Sequence, residues 1–346
     1  MRRPLFTGVR EFLAQQARAG RDCRVVRGAE PEEALATEPA LYTPAVHHVE
    51  GDRLQTRPVG FRASGGAARS GFRFFLDGVQ YSHLIAYVDN APLVYHLSAA
   101  AILQRDPDRR ELRVWHWTGA QECILAPKAY VDCRLLEALG VPVEDTMDQT
   151  PDAPEEAVAL RALAHSKSQR LRRHAEVGLI KQWQAAGEEG WLMVDGPLML
   201  LPTLRARDHI VGVVKSFGAQ FFAGAEQLLL LSLPEGHRTT AFQLPRGTRP
   251  MEGGGTEEAR RWFSWYVRIR DAREREVDFG LLRVEIPPDP EILGAADEIS
   301  RWLIAERAPL STPDPRWGNL LYPIHACEQY LRSMLPERNR VHLHLR

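Results

Sequence analysis

Two short apolar runs of this sequence, residues 74–76 and 191–194, each lead directly into an Asp-Gly pair. Asp77 and Asp195 therefore follow segments whose apolar character is typical of buried strands. Glycine at the next position allows a tight turn or the close approach of another group to the backbone. Two such strands lying side by side would bring two carboxylates together, an arrangement that divalent cations prefer. The alternative is that both pairs are ordinary strand ends that lead into loops.

A third acidic residue, Glu176, lies between the two Asp-Gly pairs on a segment with helical periodicity. A helix that precedes a strand can direct a carboxylate towards the end of that strand, so Glu176 could complete a metal site. Positive charge beside such a site would hold a phosphate backbone, and the same helix carries Lys167, Arg170, Arg172 and Arg173. The alternative interpretation is a solvated helix face with ordinary charge pairing.

Two further segments carry side chains suited to phosphate chemistry. Lys215 follows the apolar run 211–214, where it could contact a phosphate or simply mark an exposed strand end. Tyr322 and His325 stand one helical turn apart at the start of the last predicted helix. Such a pair can orient a water molecule or a phosphate, although a helix start with buried aromatic side chains is equally compatible with the pattern.

An α/β fold with a mixed sheet is expected to position these residues, because predicted strands alternate with helices after an antiparallel meander. Helical spacing predicts helices over 6–19, 155–184, 290–305 and 322–334. Extended segments, one of them a hairpin around residues 89–92, are predicted over 72–76, 84–95, 112–117, 123–125, 191–194, 210–214, 228–233, 262–269 and 281–286. Residues 28–70 are interpreted as loop and short strand, and 252–256 as a surface loop.

Composition indicates a soluble globular protein, since 44% of the 346 residues are apolar and 8% are aromatic. The formal net charge of −1 argues against coating of nucleic acid over the whole surface, so any such contact must be local, in a groove or channel. Four scattered cysteines argue against a zinc ribbon and favour free thiols in a reducing compartment. With neither a signal peptide nor an apolar segment long enough to cross a bilayer, we expect a cytoplasmic protein.

Taken in order, these motifs resemble those of the NurA nucleases. The resemblance runs from about Phe72 to Leu331 and is strongest at 195–198, Asp-Gly-Pro-Leu, and at 212–215, Gly-Val-Val-Lys. A late Arg-Val-Glu-Ile-Pro strand and a Tyr-Pro turn before the final helix add to it. It implies an RNase H-like core, related to the nuclease domain of Argonaute proteins and flanked by N-terminal and C-terminal helical elaborations. The nuclease domain would cover 71–346, after an N-terminal helix and loop extension over 1–70.

The resemblance also implies a function. NurA-like proteins are metal-dependent DNA nucleases, acting as 5′–3′ exonucleases or single-strand endonucleases with one or two Mn²⁺ or Mg²⁺ ions. They work as ring-like homodimers docked on a hexameric HerA-type ATPase that translocates DNA, in end resection, repair or defence against phage. Carried over to this chain, the metal ligands are Asp77, Glu176 and Asp195, and the further catalytic residues are Lys215 and Tyr322. We add His325 as a catalytic candidate from its place one turn after Tyr322. The predicted DNA-binding residues, assigned from their positive charge, are Lys167, Arg170, Arg172, Arg173 and Lys215.

The sequence departs from the family pattern at two places. Val79 follows the first Asp-Gly pair, where many members have serine. The family's terminal histidine, about two helical turns after the tyrosine, would fall at Tyr330, and His325 is the candidate substitute. Two other functions stay open: a docking cap for a ring ATPase that has lost activity, and another RNase H-like phosphoryl transferase such as a resolvase. An RNA-guided slicer is disfavoured, since no candidate guide-binding domain precedes residue 72.

Overall fold

A computed structural model describes residues 5–26, 46–60, 70–108, 111–149, 154–198, 208–215, 221–244, 248–250, 256–258, 262–308 and 317–336. Within these ranges the chain forms a large mixed β-sheet flanked by helices, the α/β architecture that the sequence predicts. No helix in the described part of the chain is long and apolar enough to cross a membrane. All four cysteines are free thiols, as predicted.

The strands are, in chain order, β1 Cys23–Val25, β2 His47–His48, β3 Thr56–Pro58, β4 Phe72–Val88, β5 Ala91–Arg105, β6 Leu112–Trp117, β7 Gln121–Ala126, β8 Val143–Asp145, β9 Trp191–Asp195, β10 Ile210–Val214, β11 His237–Thr239, β12 Phe242–Gln243, β13 Thr248–Pro250, β14 Thr256–Glu258, β15 Phe263–Arg268 and β16 Leu281–Ile286. The helices are α1 Leu5–Arg18, α2 Cys133–Ala138, α3 Ala157–Ala186, α4 Gly224–Leu231, α5 Pro290–Gly294, α6 Ala296–Ala305 and α7 Tyr322–Met334.

The centre of the sheet is a parallel group of three strands, in which β9 lies between β4 and β10. Antiparallel strands extend the sheet on both sides, with β16 and β15 beyond β10, and β5 and β7 beyond β4. Strands from the first 70 residues join the same sheet, since β1 pairs with β4 and β2 with β12. Parallel neighbours present their carboxyl ends at one edge, where sites commonly form.

The strand that carries Asp77 is much longer than predicted. β4 continues through Asp77 to Val88 and returns through the predicted hairpin as β5. Its pairing with β9 ends at Leu76, which lies opposite Val194, whereas its pairing with β5 runs on past Gly78. The expectation that Asp77 stands where the strand leaves the sheet is therefore wrong. Its Asp-Gly pair marks the point where β4 extends beyond the end of its parallel neighbour β9, because hydrogen bonds to β5 keep the backbone of β4 extended.

The predicted strand over 228–233 is also wrong, because most of this segment belongs to helix α4. Periodicity cannot distinguish a short, continuous apolar run in a strand from one in a helix. The helix has Glu226 in its first turn, where an acidic residue favours helix formation. Glu226 also accepts a hydrogen bond from the backbone N–H of Leu54 at 2.7 Å, so tertiary contacts fix the helix start. Leu228, which a buried strand would have covered, is exposed.

The apolar side chains of the central strands alternate between two layers of core. Phe74, Leu76 and Val194 pack in the layer that includes Ile180 and Trp183 of α3. Phe75, Met193 and Val213 pack in the opposite layer, which contains residues of α6 and α7 such as Leu303 and Ile324. Side chains alternate along a strand, so Asp77 and Asp195 belong on the face of the sheet that α7 covers.

A small polar cluster joins α3 to the sheet. His96 on β5 is buried, and its Nδ1 lies 3.0 Å from the hydroxyl of Ser168 on α3. That hydroxyl lies 2.6 Å from the hydroxyl of Ser82 on β4. Within the described ranges the second ring nitrogen of His96 has no hydrogen-bond partner. Burial lowers the pKa of His96 to about 4, so the imidazole is neutral at physiological pH.

We expect this burial to make the protein less stable in acid. The unfolded histidine takes up a proton near pH 6.5 and the folded one only near pH 4, so between these values protons favour the unfolded state. The free energy of unfolding should fall over this window by up to about 3 kcal/mol. Urea unfolding of the wild type and of His96→Gln, at about pH 7 and about pH 4.5, measures the effect. The same acid sensitivity in both proteins would contradict it.

Candidate functional site

The parallel strands bring Asp77, Asp195 and Lys215 to one place. Asp77 is the residue after Leu76, the last one in β4 to pair with β9, and Asp195 ends β9 beside Val213. Neighbouring strands lie about 4.8 Å apart, so the two aspartates are adjacent across the sheet. Lys215 directly follows β10, and its Nζ lies 2.9 Å from Asp195 Oδ1. Two of the predicted metal ligands and the predicted lysine therefore share one site.

Asp77 is the buried centre of this site, with only 5% of its surface exposed. Burial raises the pKa of its carboxyl well above the ordinary value, and the negative charge of Asp195 raises this pKa further. Lys215 opposes that effect, while Glu176 and Glu328 add to it. The backbone N–H of Gly78 donates to Asp77 Oδ1 at 2.8 Å. Acidic groups crowded in this way favour the uptake of a cation.

Glu176 lies against β4 on the α3 side of the sheet, opposite to the side on which the Asp77 side chain lies, in a space that only glycine leaves open. Its carboxylate is buried against β4, and a Cβ placed on Gly78 would lie 2.3 Å from Glu176 Oε1. Arg172, one turn earlier in α3, donates to the same oxygen at 2.9 Å. Burial raises the pKa of Glu176, although Arg172 and Arg173 counteract this rise. Gly78 thus allows the close approach, rather than the turn, that an Asp-Gly pair can provide.

The turn after Asp195 is held by a buried carboxylate that sequence reasoning did not assign to the site. Gly196 has a φ of 109°, which glycine adopts readily. Glu285 on β16 is fully buried and accepts a hydrogen bond from the backbone N–H of Leu198 at 2.7 Å. A Cβ on Gly212 would lie 2.8 Å from the carbonyl oxygen of Gly196. Glu285 and Gly212 thus fix the path of the chain that leaves Asp195.

Helix α7 adds a further acidic residue, Glu328, that was not predicted. This helix packs against β4 and β5, and the thiol of its buried Cys327 lies 3.3 Å from the carbonyl oxygen of Ala101. Glu328 raises the pKa of Asp77, which places it within electrostatic range of the site. The available signal was its position on the flank of a buried stripe formed by Ile324, Cys327 and Leu331.

Tyr322 and His325 occupy the first turn of α7. Tyr322 is exposed, and its backbone N–H donates to the carbonyl oxygen of Glu306 at 2.8 Å. It lies about 9 Å along the helix axis from Glu328. His325 is nearer to Glu328 than Tyr322 is, with its Nδ1 3.9 Å from Glu328 Oε2. Tyr330 packs its ring against that of Trp117. The turn of α7 that carries Cys327 and Glu328 packs against Ala101, the residue that pairs with Asp77 in the sheet, and His325 lies beside this turn.

Two of the predicted DNA-binding residues are already engaged by acidic side chains. Lys167 is buried, and its Nζ lies 2.9 Å from Glu144 Oε2 and 2.8 Å from Asp148 Oδ2. Arg170 lies 2.7 Å from Asp148 Oδ1. This cluster stands about 14 Å along α3 from Glu176. The other predicted basic residues, Arg172, Arg173 and Lys215, lie beside the site acids, because each of them interacts with Glu176 or Asp195.

No protein-family model matches this chain, and no curated protein sequence matches it. Among the residues that the structure describes, no three Asp, Glu, His or Cys side chains form a ready-made ligand group for a metal ion. Asp77 and Asp195 nevertheless suit a hard divalent cation, since they are adjacent carboxylates whose mutual repulsion a cation would relieve.

The gap at Gly78 generates a prediction about Glu176. Gly78→Ala would place a methyl group against the carboxylate of Glu176, which would have to move away. Because the end of a side chain moves more easily than the backbone, we expect the free energy of unfolding to fall by less than about 2 kcal/mol. We also expect the carboxylate of Glu176 to be displaced, with weaker metal binding and slower DNA cleavage. Denaturant unfolding and assays of metal binding and DNA cleavage measure these effects.

Gly178 is the matched control, because a Cβ at this position in α3 meets nothing within 4 Å. Gly178→Ala should raise stability by up to about 1 kcal/mol through its better helix propensity, with no effect on the site. Gly212→Ala should be more damaging to the fold than Gly78→Ala, because it meets a backbone carbonyl. Equal metal binding and DNA cleavage by Gly78→Ala and Gly178→Ala would contradict the role of Gly78 in admitting Glu176.

Proposed function

We propose that this protein is a metal-dependent DNA nuclease with an RNase H-like core. The observation that carries the proposal is the buried carboxyl of Asp77 beside Asp195, at the point where two parallel strands part. Further acids, Glu176 and Glu328, raise the pKa of the same carboxyl. Stability alone does not favour such crowding of acids, whereas cation-assisted phosphodiester hydrolysis requires it. The order of the motifs along the chain supports the same function.

In this proposal Asp77, Asp195 and Glu176 hold one or two Mn²⁺ or Mg²⁺ ions. An ion held there would lower the pKa of a bound water molecule and offset charge on the phosphate. Lys215 stabilises that charge from the end of β10. His325 and Tyr322, on the first turn of α7, align the water or the DNA strand. Glu285 acts as a positioning residue, because it fixes the turn that follows Asp195.

The first test removes one carboxylate at a time. Asp77→Asn and Asp195→Asn keep the shape of the side chain but lose the charge that would bind the cation. We expect cleavage of single-stranded and duplex DNA in Mn²⁺ or Mg²⁺ to fall by more than about 100-fold, the upper range for loss of an outer-sphere partner. The thermal midpoint of Asp77→Asn should stay the same or rise, since a buried, repelled carboxylate is replaced by a neutral amide.

Asp108→Asn is the control, because Asp108 is an exposed residue in the turn after β5. It should cleave like the wild type, and EDTA should abolish cleavage by both. Retained cleavage in Asp77→Asn or Asp195→Asn would remove their assigned role. The alternative function is an inactive docking cap for a ring ATPase. A wild-type protein that takes up no Mn²⁺ in a titration would support that alternative.

We further propose that the protein works as a homodimer with a HerA-type hexameric ATPase, in DNA repair or in defence against phage. The net charge of −1 gives the chain no excess of positive charge for binding DNA, and Lys167 and Lys215 are each paired with acids. A channel between two copies, supplied with DNA by a motor, would compensate for weak intrinsic binding.

We therefore expect light scattering at micromolar concentration to give the mass of a dimer. Degradation of long duplex DNA should be faster with an ATP-hydrolysing HerA-type partner than without it. A monomer mass would contradict the dimer, and equal rates with and without ATP hydrolysis would contradict the coupling.

A further inference from the structure

The acidic residues around Asp77 are paired with basic side chains that come from different elements of the fold. Lys215, after β10, has its Nζ 2.9 Å from Asp195 Oδ1. Arg172, on α3, has its Nη1 2.9 Å from Glu176 Oε1. Asp195 lies beside Asp77 across the sheet, and Glu176 lies against Gly78 on the other face of β4, so the two pairs flank this strand at the site.

A third pair, formed by Arg332 and Glu328, borders the site on α7. Arg332 Nη2 lies 2.7 Å and its Nε 3.1 Å from Glu328 Oε1. The Arg332 side chain is 39% exposed and that of Glu328 only 14%. The pair on α3 has the same arrangement, with Arg172 28% exposed and Glu176 7%. In both pairs the arginine side chain is more exposed to solvent than its acid, so a polyanion can reach it.

We propose that Arg172, Lys215 and Arg332 form a phosphate-binding set for the DNA backbone, and that a divalent cation bound by the site acids releases them for this task. This inference rests on the proposed function, because it requires the acids to bind a divalent cation. A doubly charged ion with a preference for carboxylate oxygens competes with singly charged side chains for the same atoms. The cation would take the place of each basic side chain beside its acid, so that no buried acid is left unpaired when a pair separates.

Lys167 is a basic residue of α3 that does not belong to this phosphate-binding set. It is buried between Glu144 and Asp148, so two acids hold it and little of it faces solvent. Those acids are not among the groups that shift the pKa of Asp77. A cation at the Asp77 site would therefore leave Lys167 where it is. The phosphate-binding set is confined to basic residues that touch a site acid and are themselves partly exposed.

The proposal has a measurable consequence for the salt dependence of DNA binding. Each phosphate contact made by a basic residue steepens the plot of log K against log salt by about 0.9 for duplex DNA. Release of three basic side chains should therefore steepen this slope by about 2 to 3 when a divalent cation is bound. Direct bridging of a phosphate by the ion raises affinity too, so variants are needed to separate the two effects.

The experiment measures binding of a labelled duplex to the full-length protein by fluorescence anisotropy, in EDTA and in Ca²⁺, over a range of NaCl concentrations. Glu328→Gln removes the carboxylate charge with which Arg332 pairs. We expect this variant to bind about fivefold more tightly in EDTA, with a slope steeper by about 1. Arg332→Gln should bind like the wild type in EDTA and about fivefold more weakly than the wild type in Ca²⁺.

The matched control is Asp22→Asn, which removes the same charge from an exposed pair with Arg24 at the far end of β4. It should change neither the affinity in EDTA nor the slope. Unchanged binding by Glu328→Gln in EDTA, or an equal gain in Asp22→Asn, would overturn the release. DNA cleavage by the wild type in Mn²⁺, assayed separately, distinguishes this failure from failure of the nuclease proposal. A wild type that cuts DNA while Glu328→Gln gains no affinity refutes the release alone.

Discussion

The parallel pairing of β9 with β4 on one side and β10 on the other is the constraint on which the site depends. Its register sets Leu76 opposite Val194 and Asp195 opposite Val213, so backbone pairing brings Asp77, Asp195 and Lys215 to one place. A slip of one residue would turn every side chain of β9 to the opposite layer of the core. The burial of Leu192, Met193 and Val194 therefore fixes the position of Asp195 as firmly as any polar contact does.

Around this frame, small residues and buried polar groups determine which side chains can approach. Gly78 admits the carboxylate of Glu176 to the surface of β4, and Gly212 admits the turn that follows Asp195. Glu285 then satisfies the backbone N–H of Leu198, a group that would otherwise be costly to bury. Close packing at the two glycines brings the acids near one another, and the hydrogen bond from Leu198 to Glu285 fixes the backbone conformation beside them. A buried carboxylate that binds a turn in this way contributes specificity of conformation more than stability.

Local sequence patterns predicted helices and strands, whereas the length of β4 and the relevance of Glu328 depend on tertiary contacts. Helical spacing located α3, and alternation located β15 and β16, because each presents one consistent face to the core. The continuation of β4 beyond Asp77 could not be predicted from its own residues, since the pairing with β5 sustains it. Glu328 was missed for a similar reason. Its relevance depends on the packing of α7 against β4, between residues far apart in the sequence.

The near-neutral net charge of the chain has a local counterpart at the site. Asp195 and Glu328 each have a basic partner within hydrogen-bond distance, whereas the strongest influence on Asp77 is burial among like charges. Repulsion spread over several acids would destabilise the fold, and the basic partners limit that cost. The same pairing restrains the long basic side chains, which are otherwise flexible. Charge balance thus makes a buried acidic centre compatible with a stable fold while leaving that centre short of positive charge.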